Sequence, residues 1–511
     1  MAILSSRSHI ESLTTNVVFE FPWNLLNMLA AIDLGSNSFR MHIGHFDGEQ
    51  IRILNTAREP VRIGAGLDNR GNLTVQAMQT ALACLGRFSE ILRSVPLSAV
   101  RVVGTNTLRI AKNKDAFLEL AEKAIGYPIE IISGEEEGRL IYLGVSSTLD
   151  LPDERRLVVD IGGGSTELVL GQGSQIESVE SFSVGTVNTA FEFFGNDRIT
   201  ESAFADAILN ARSYFEDGME PFHPRLWTVS YGSSGTMRTL AELIQAHSLG
   251  DGGLSLKSLR ALRDFLIECG RVSKTELIGI KPERSAVVLG GLPILLGLCQ
   301  ELGMRDMQPV EAGLRMGVLW DLHLRRSSKD RRRDSVREFG RRFGINEARG
   351  ARVKANTQLL HVQLEPETDH YDRLLAWAAR LHEVGMAVSH SGFHKHGAYL
   401  TLNADLPGFT KQEQHILSIL VLSQKGNLKK VTEALSLPDL AKAILSLRLG
   451  ILFSHSRIDL SDELVGVRIR HKIEIDIPAT MLRKHPTLAH WLQKEQVAWS
   501  EVDWSMAVRQ Y

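Results

Sequence analysis

Two short turns of one form, 127 residues apart, constrain the fold of this 511-residue chain more than any other feature. They read Asp33-Leu-Gly-Ser-Asn-Ser and Asp160-Ile-Gly-Gly-Gly-Ser-Thr. Each follows an apolar run, Met28 to Ile32 and Leu157 to Val159. Each precedes a second strand-like run, Phe39 to Phe46 and Glu167 to Leu170. The unit strand, Asp-x-Gly turn, strand thus occurs twice. That predicts an internal duplication, with two similar lobes facing a cleft.

The surrounding pattern supplies the rest of the first lobe. Ile51 to Leu54 reads as a third strand. Thr74 to Arg93 is an amphipathic helix with Val75, Met78, Leu82, Leu85, Phe88 and Leu92 on one face. Val100 to Val103 is a strand, Ala116 to Ile125 a helix and Ile129 to Ile132 a strand. This order predicts a mixed sheet covered by helices, an α/β fold. The third loop of interest, Tyr231-Gly-Ser-Ser-Gly-Thr236, follows an apolar strand from Leu226 to Ser230 and opens a helix from Met237 to His247.

Near Leu324 the composition shifts. Arg325 to Lys354 carries 12 basic and 4 acidic residues in 30. Beyond it the chain is mostly helical, as in Tyr371 to His382 and Leu440 to Phe453, and Val465 to Ile477 suggests a final strand-containing module. The expected division is a flexible leader or extension over 1–27, lobe I over 28–140, lobe II over 141–326, a helical domain over 327–466 and a small C-terminal α+β domain over 467–511. Met28 opens a well-formed strand and is the expected natural start.

Composition excludes several classes. With 58 basic and 60 acidic residues the chain is no polycation, although a local basic patch remains open. Cys84, Cys269 and Cys299 lie too far apart for a disulfide framework or a Cys-x-x-Cys metal cluster, which suits a reduced, cytoplasmic protein. The longest apolar run, Ala286 to Cys299, has 14 residues and contains Pro293, whereas a span needs about 20. No integral membrane association is expected.

The glycine turns suit anion binding. Consecutive backbone N–H groups and small side chains let an anionic oxygen approach closely. Gly35, Ser36, Asn37 and Ser38 form the first cradle, Gly162, Gly163, Gly164, Ser165 and Thr166 the second, and Gly232, Ser233, Ser234, Gly235 and Thr236 the third, at a helix N-terminus. Asp33 and Asp160 at the strand ends could hold a divalent cation or its waters. Either Asp turn alone reads equally well as a tight hairpin capped by its Asp, and the third as an ordinary strand-to-helix turn.

The three loops together resemble the phosphate loops of the superfamily that includes actin, the heat-shock chaperones and the sugar kinases. More narrowly, they resemble the exopolyphosphatase/guanosine pentaphosphatase family. Gly104-Thr-Asn-Thr-Leu-Arg109, Ile131-Ile-Ser-Gly-Glu-Glu-Glu-Gly-Arg139 and Glu311-Ala-Gly-Leu-Arg-Met-Gly317 agree with it. The similarity runs from about Met28 to the C-terminus. It implies duplicated actin-like (ribonuclease H-like) lobes, then a helical domain resembling a degenerate HD domain.

Several roles follow from the resemblance. In Ser133-Gly-Glu-Glu-Glu-Gly-Arg139 the spacing of Ser133 and Glu136 is that of a capping box, which makes Glu136 structural. The resemblance makes Glu137 the general base that takes a proton from attacking water. It makes Arg109 a phosphate clamp, with Thr105 and Asn106 beside it. Arg40, just after the first turn on a strand whose alternation aims it at the cleft, is a further expected phosphate-binding residue, standing where the family frequently has His. Gly138 replaces a frequent Ala and is expected to loosen the helix start. Asp160, Glu167 and Asp33 are the expected holders of Mg²⁺ or another divalent cation, with stimulation by K⁺ as a further expectation. A homodimer is expected.

The helical domain carries Leu381-His-Glu-Val-Gly385 and His390-Ser-Gly-Phe-His394-Lys-His396. Glu383, His390, His394, Lys395 and His396 are expected to line a path for a polyanion. The basic segment reads either as a solvated face or as part of that path. Its only aromatics are Phe339 and Phe343, which argues against a nucleic-acid surface.

These features favour processive, Mg²⁺-dependent hydrolysis of terminal orthophosphate from inorganic polyphosphate. Hydrolysis of guanosine pentaphosphate uses the same site. The Gly162-Gly-Gly-Ser-Thr166 loop, where pentaphosphatases have a Gly-Gly-Ala-Ser-Thr form, and the His390-Ser-Gly-x-His-x-His396 stretch both resemble the exopolyphosphatase version, and that resemblance favours polyphosphate. A third reading is a non-hydrolytic ATP switch of the actin or heat-shock type, and the Glu137 motif argues against it.

Overall fold

The computed structural model describes residues 28–325, 330–404, 406–460 and 465–511. The expected leader over 1–27 and the boundary at 326/327 lie outside them.

In lobe I, β1 (Met28–Leu34), β2 (Phe39–Phe46) and β3 (Ile51–Glu59) form an antiparallel meander. β4 (Ala99–Gly104) and β5 (Ile129–Ile131) add in parallel, giving the order β3-β2-β1-β4-β5. Thr74 caps α1 (Val75–Arg93) by accepting the Ala77 N–H, and Leu85, Phe88 and Leu92 are buried as the periodicity predicts. Val75, in the first turn, is exposed instead. α2 (Asn106–Ile110) follows β4, α3 (Lys114–Ile125) precedes β5, and α4 (Gly134–Leu149) leaves it.

Lobe II repeats this plan. β6 (Arg155–Ile161), β7 (Thr166–Gln172) and β8 (Gln175–Phe182) form the meander. α5 (Thr186–Phe194) and α6 (Glu201–Phe215) intervene before β9 (Val229–Ser233). Then come α7 (Ser234–Ala246), β10 (Leu254–Ser255), α8 (Leu256–Cys269), α9 (Pro282–Leu302), β11 (Asp306–Pro309) and α10 (Leu314–Arg325). The order β10-β11-β9-β6-β7-β8, reversed, matches lobe I strand for strand, with β10 added at the edge. β1 and β6 even share one burial pattern, in which only the first residue and the Asp are partly exposed.

The strand expected from Leu226 to Ser230 is displaced. Pro224–Leu226 forms a short 3-10 turn, and pairing with β6 begins only at Val229. Tyr231 to Ser233 therefore belong to β9, and Ser234 opens α7 with no loop between, at a φ of 85°. The segment Arg284–Leu302 of α9 is long and apolar enough to cross a membrane, but most of it is buried in the lobe II core.

The boundary expected at 140/141 falls inside α4. Leu140 packs with Leu29 and Val103 of lobe I, whereas Tyr142 and Val145 pack with Val158 and Val169 of lobe II. Conversely, Val318 and Leu319 of α10 pack into lobe I. Each lobe thus lends a helix to the other. Gly138 serves that packing: a Cβ there would stand 2.7 Å from Val179 Cγ2 on β8.

The helical region comprises α11 (Arg331–Arg342), α12 (Glu347–Gln363), α13 (Asp372–Leu381), α14 (Phe393–Asn403), α15 (Lys411–Ser423), α16 (Thr432–Leu435) and α17 (Pro438–His455). A sheet of β12 (Gly466–Ile469), β13 (Ile473–Ile477) and β14 (Met506–Gln510) follows, with α18 (Ala479–Lys484) and α19 (Pro486–Ser500) between its last two strands. Leu445 and Leu449 of α17 share one apolar core with Ile473, Ile475 and Trp499. The division expected at 466/467 is therefore not a division between cores.

Candidate active site

The two Asp residues sit where the central strands of the lobes end. Asp33 lies directly across from Arg40 on β2, and Asp160 directly across from Glu167 on β7. α2 then brings Arg109 to the cleft and α4 brings Glu137.

At the start of α4, Ser133 Oγ accepts the Glu136 N–H at 3.2 Å, as the capping spacing predicts. The reciprocal half of the capping box is absent. The Glu136 carboxylate instead accepts from Arg139 at 2.7 and 2.8 Å and from the Gly408 N–H at 3.0 Å. Glu137, one residue on, is turned toward the cleft and faces Arg109 Nη1 at 3.4 Å. Arg109 Nη1 also donates to the Ile132 carbonyl at 2.7 Å, which fixes the guanidinium.

The first cradle, Gly35 to Ser38, is the β1–β2 turn, with Ser36 and Ser38 buried. Thr107 Oγ1 donates to Ser36 Oγ at 2.8 Å. The second cradle, Gly162 to Ser165, is the β6–β7 turn, and Thr166 starts β7. A Cβ on Gly163 would stand 3.1 Å from Ser36 Cβ, and one on Gly164 would stand 2.4 Å from Asn106 Oδ1. The loops of the two lobes therefore meet at Asn106, beside Thr105, the N-cap of α2. Gly232 and Ser233 end β9, and Ser234, Gly235 and Thr236 form the first turn of α7.

Three of the predicted hydroxyls hold these loops in place. Thr166 Oγ1 donates to the Val184 carbonyl at 2.7 Å, Ser233 Oγ to the Ala312 carbonyl at 3.0 Å, and Thr236 Oγ1 to the Ile161 carbonyl at 2.7 Å. A hydroxyl carries one proton, so in this arrangement each acts on the protein rather than on a bound anion.

Four carboxylates share the cleft. Burial, then the charge of Glu167, pushes Glu137 well above the ordinary carboxylate range; Asp33 and Asp160 add to this and Arg109 opposes it. Burial, then Asp160, pushes Glu167 up to about 7, although Ser181 Oγ donates to it at 2.9 Å. Burial pushes Asp160 up to about 6 and raises Asp33, which Arg315 and Arg40 offset in part.

Hard carboxylate oxygens crowded until they repel one another fit a divalent cation. Among the described residues no three such groups close on a single point to enclose a metal. An ion here would take one or two carboxylates and fill its remaining positions with water and substrate oxygens, the usual habit of Mg²⁺.

Several neighbours were missed in the sequence. Arg315 Nε donates to His42 Nε2 at 3.0 Å, and Arg315 Nη1 lies 3.5 Å from Asp33 Oδ2. Burial, with Arg315 and Arg40 nearby, lowers His42 to about 3, so it stays neutral. Arg315 belongs to the Glu311-to-Gly317 stretch and Thr107 to the Gly104-to-Arg109 stretch, so both stood inside recognised motifs without a role. For His42 and Ser181 the sequence offers no signal.

In the helical region, His382 is buried and its Nδ1 is 2.8 Å from the Ala379 carbonyl. Its Nε2 lies 3.8 Å from Glu383, which is itself ion-paired with Arg349. His394 lies among Lys395, Lys425, Lys430 and Arg448; burial and these cations hold it at about 4. Burial, Arg448 and Lys395 lower Lys430 to about 8. His390 and Lys395 are exposed and His396 is half-buried.

Much of the basic segment is paired within the fold. Arg325 binds Asp321 and Glu413, Arg332 binds Asp330 and Glu413, and Arg331 and Arg337 bind Glu338 and Asp334. Arg333 and Lys354 line a surface cavity of about 260 Å³ with Arg373 and Arg380.

Two family models match the chain. One, described as the Ppx/GppA phosphatase family, covers residues 42–326. The other, described as domain III of the Ppx/GppA phosphatase, covers 331–496. Among solved structures, the Aquifex aeolicus member of the Ppx/GppA protein family is 26% identical, with a TM-score of 0.51 over 59% of this chain and 99% of that one. An exopolyphosphatase from Cytophaga hutchinsonii is 27% identical, with a TM-score of 0.51 over 58% of this chain and 97% of that one.

Proposed function

Because this chain belongs to the Ppx/GppA phosphatase family, we propose that it removes terminal orthophosphate from inorganic polyphosphate. The observation that carries this reading is the placement of Glu137 beside Arg109 in a cleft with Asp33, Asp160 and Glu167. The relative from Cytophaga hutchinsonii is an exopolyphosphatase, which supports the choice of substrate.

The terminal phosphoryl group would rest between the Gly35-to-Ser38 and Gly162-to-Ser165 turns, whose small residues allow close approach. Arg109, held by the Ile132 carbonyl, would face its oxygens. Glu137 would accept a proton from water as the water oxygen bonds to phosphorus in line and the bridging P–O bond breaks. Its raised proton affinity makes it a stronger base once ionised. One or two of Asp160, Glu167 and Asp33 would hold Mg²⁺, its other positions going to water and substrate oxygens, and the ion when bound would neutralise charge on phosphoryl oxygens. In the helical region, His394, Lys425 and Lys430 would hold distal phosphates of a long chain, while Arg448 beside them is already bonded to Glu495 and to the Ser423 and Gly426 carbonyls.

The test is phosphate release from long-chain polyphosphate and from guanosine pentaphosphate in parallel, with Mg²⁺, for wild type and Glu137→Ala. Release from polyphosphate that disappears in the variant supports the reading. Release from the pentaphosphate alone moves the substrate assignment, and release that survives in Glu137→Ala removes Glu137 as the base.

A further inference from the structure

The helical region holds a second concentration of cations besides the His394 cluster. α12 and α13 pack together, and α11 packs against α13. Lys354 on α12, Arg373 and Arg380 on α13 and Arg333 in the first turn of α11 surround the surface cavity of about 260 Å³. On α13 the spacing explains the alignment. Arg373, Trp377 and Arg380 recur at intervals of four and three, which sets them on one helix face. None of these four cations is among the main charges acting on His394, Lys430 or Glu137.

Carboxylates match these cations poorly. Asp330, which also lines the cavity, accepts from the Arg332 guanidinium at 3.0 and 2.8 Å and keeps only a 3.3 Å contact with Arg373. Arg373 otherwise donates to the uncharged Arg325 carbonyl at 2.8 Å. Arg380 reaches Glu347 only at 3.8 Å. Lys354 makes no hydrogen bond or ion pair among the described residues. Asp372 lies 3.3 Å from His361, which burial holds neutral, so it is the one lining acid left to face four cations. Trp377 also lines the cavity, yet its ring is engaged: the Arg332 guanidinium lies over it at 5.1 Å and Phe409 meets it edge to face at 5.0 Å. At 8% exposure it offers no open face for a planar base.

We infer that the cavity between α11, α12 and α13 is a non-catalytic site for a small anion with two adjacent phosphoryl groups. Guanidinium groups match phosphate oxygens in paired hydrogen bonds, and a lysine adds a point charge. Two linked phosphoryl groups carry the negative charge that three arginines and a lysine leave uncompensated, in a space that admits a small molecule and no folded partner. Free pyrophosphate and the tail of a nucleoside diphosphate share this chemistry, and the engaged Trp377 ring favours the free anion. Binding here makes and breaks no covalent bond, and it does not depend on which substrate the cleft takes.

Hydrogen exchange of the full chain, read peptide by peptide in metal-free buffer, tests this site apart from the catalytic cleft. Inorganic pyrophosphate is expected to slow exchange saturably over α13 and the first turn of α11 in wild type. Lys354→Gln combined with Arg380→Gln is expected to raise the pyrophosphate concentration needed about tenfold or more. Its melting temperature should match wild type, because neither side chain has a close partner to lose. Lys354→Gln alone, which removes no native bond, should show part of the loss. ADP should protect the same peptides no better than pyrophosphate. Protection that is absent from wild type, or equal in wild type and the double variant, would overturn the site. Tighter binding of ADP would overturn the assignment to a free anion. A higher KM for long-chain polyphosphate in the double variant would overturn the separate site by placing these cations on the substrate path.

Discussion

The Glu136 carboxylate accepts the backbone N–H of Gly408 at 3.0 Å, across 272 residues of sequence. This contact ties the helix that carries Glu137 to the helical region. It sits in a buried charge network. Arg139 bonds both Glu136 and Asp321, Arg101 bonds Asp321 and Glu130, and Asp321 passes the chain of contacts to Arg325 and Glu413. Removing one member of such a network leaves its partners charged and buried, at a cost of about 3–5 kcal/mol. Glu136→Ala is therefore expected to melt several degrees lower and to expose the junction near Gly408 to protease. A melting temperature equal to wild type would show that the network is not cooperative.

Arg109 is expected to act in turnover more than in folding, because its side chain is partly exposed while Ile132 and Glu137 orient it. Loss of one donor to a developing phosphoryl charge costs about 10²–10³ in kcat. Arg109→Gln should fall in that range with a melting temperature near wild type. Arg109→Lys should recover little, because a point charge cannot reproduce the two-pronged geometry. Steady-state kinetics on polyphosphate with matched melting curves separates the two effects.

The carboxylates of the cleft set an unusual pH dependence. Glu167 is raised from 4.5 to about 7 and Asp160 from 3.8 to about 6. Above those ordinary values the unfolded chain has released both protons, while the folded protein retains them until about pH 6 and 7. The metal-free protein is therefore stabilised by these groups at low pH and loses that contribution as pH rises from about 4 to 7. Mg²⁺ needs the ionised forms, so its stabilising effect should grow over the same interval. Melting curves from pH 5 to 8 with and without Mg²⁺ check both slopes, and Glu167→Gln should flatten each.

The His394 cluster predicts a dependence on chain length. Lys430 lies with His394, Lys395 and Arg448 in the helical region, and no residue of the loops that face Glu137 is among the charges that act on it. Lys430→Gln should raise KM for long-chain polyphosphate several-fold and leave the KM for tripolyphosphate unchanged. Because burial and neighbouring cations lower Lys430 to about 8, the long-chain advantage of wild type should decline above that pH. Equal changes for both chain lengths would place Lys430 outside the path.

Much of this protein was legible in its residues. Asp33 and Asp160 fell at strand ends because an apolar run followed by Asp-x-Gly leaves few alternatives, and β2 spans the residues its alternation indicated. A local signal of that kind, the capping spacing, also located the N-cap Ser133, whereas Glu137 was singled out by the family resemblance. What they could not reach was any contact between segments far apart in the chain. The capping spacing of Glu136 gave no hint that its carboxylate would cross to Gly408, because the bond depends on where the helical region docks. The exchange of α4 and α10 between lobes was hidden for the same reason: both faces of each helix are apolar, and periodicity does not say which lobe each face meets. Arg40 shows the difference most plainly. The sequence placed it next to a phosphate turn, but only the folded lobes set it near Arg238 and Arg315 as well as Asp33 and Asp160, because charge crowding depends on distance in space and not on order in the chain.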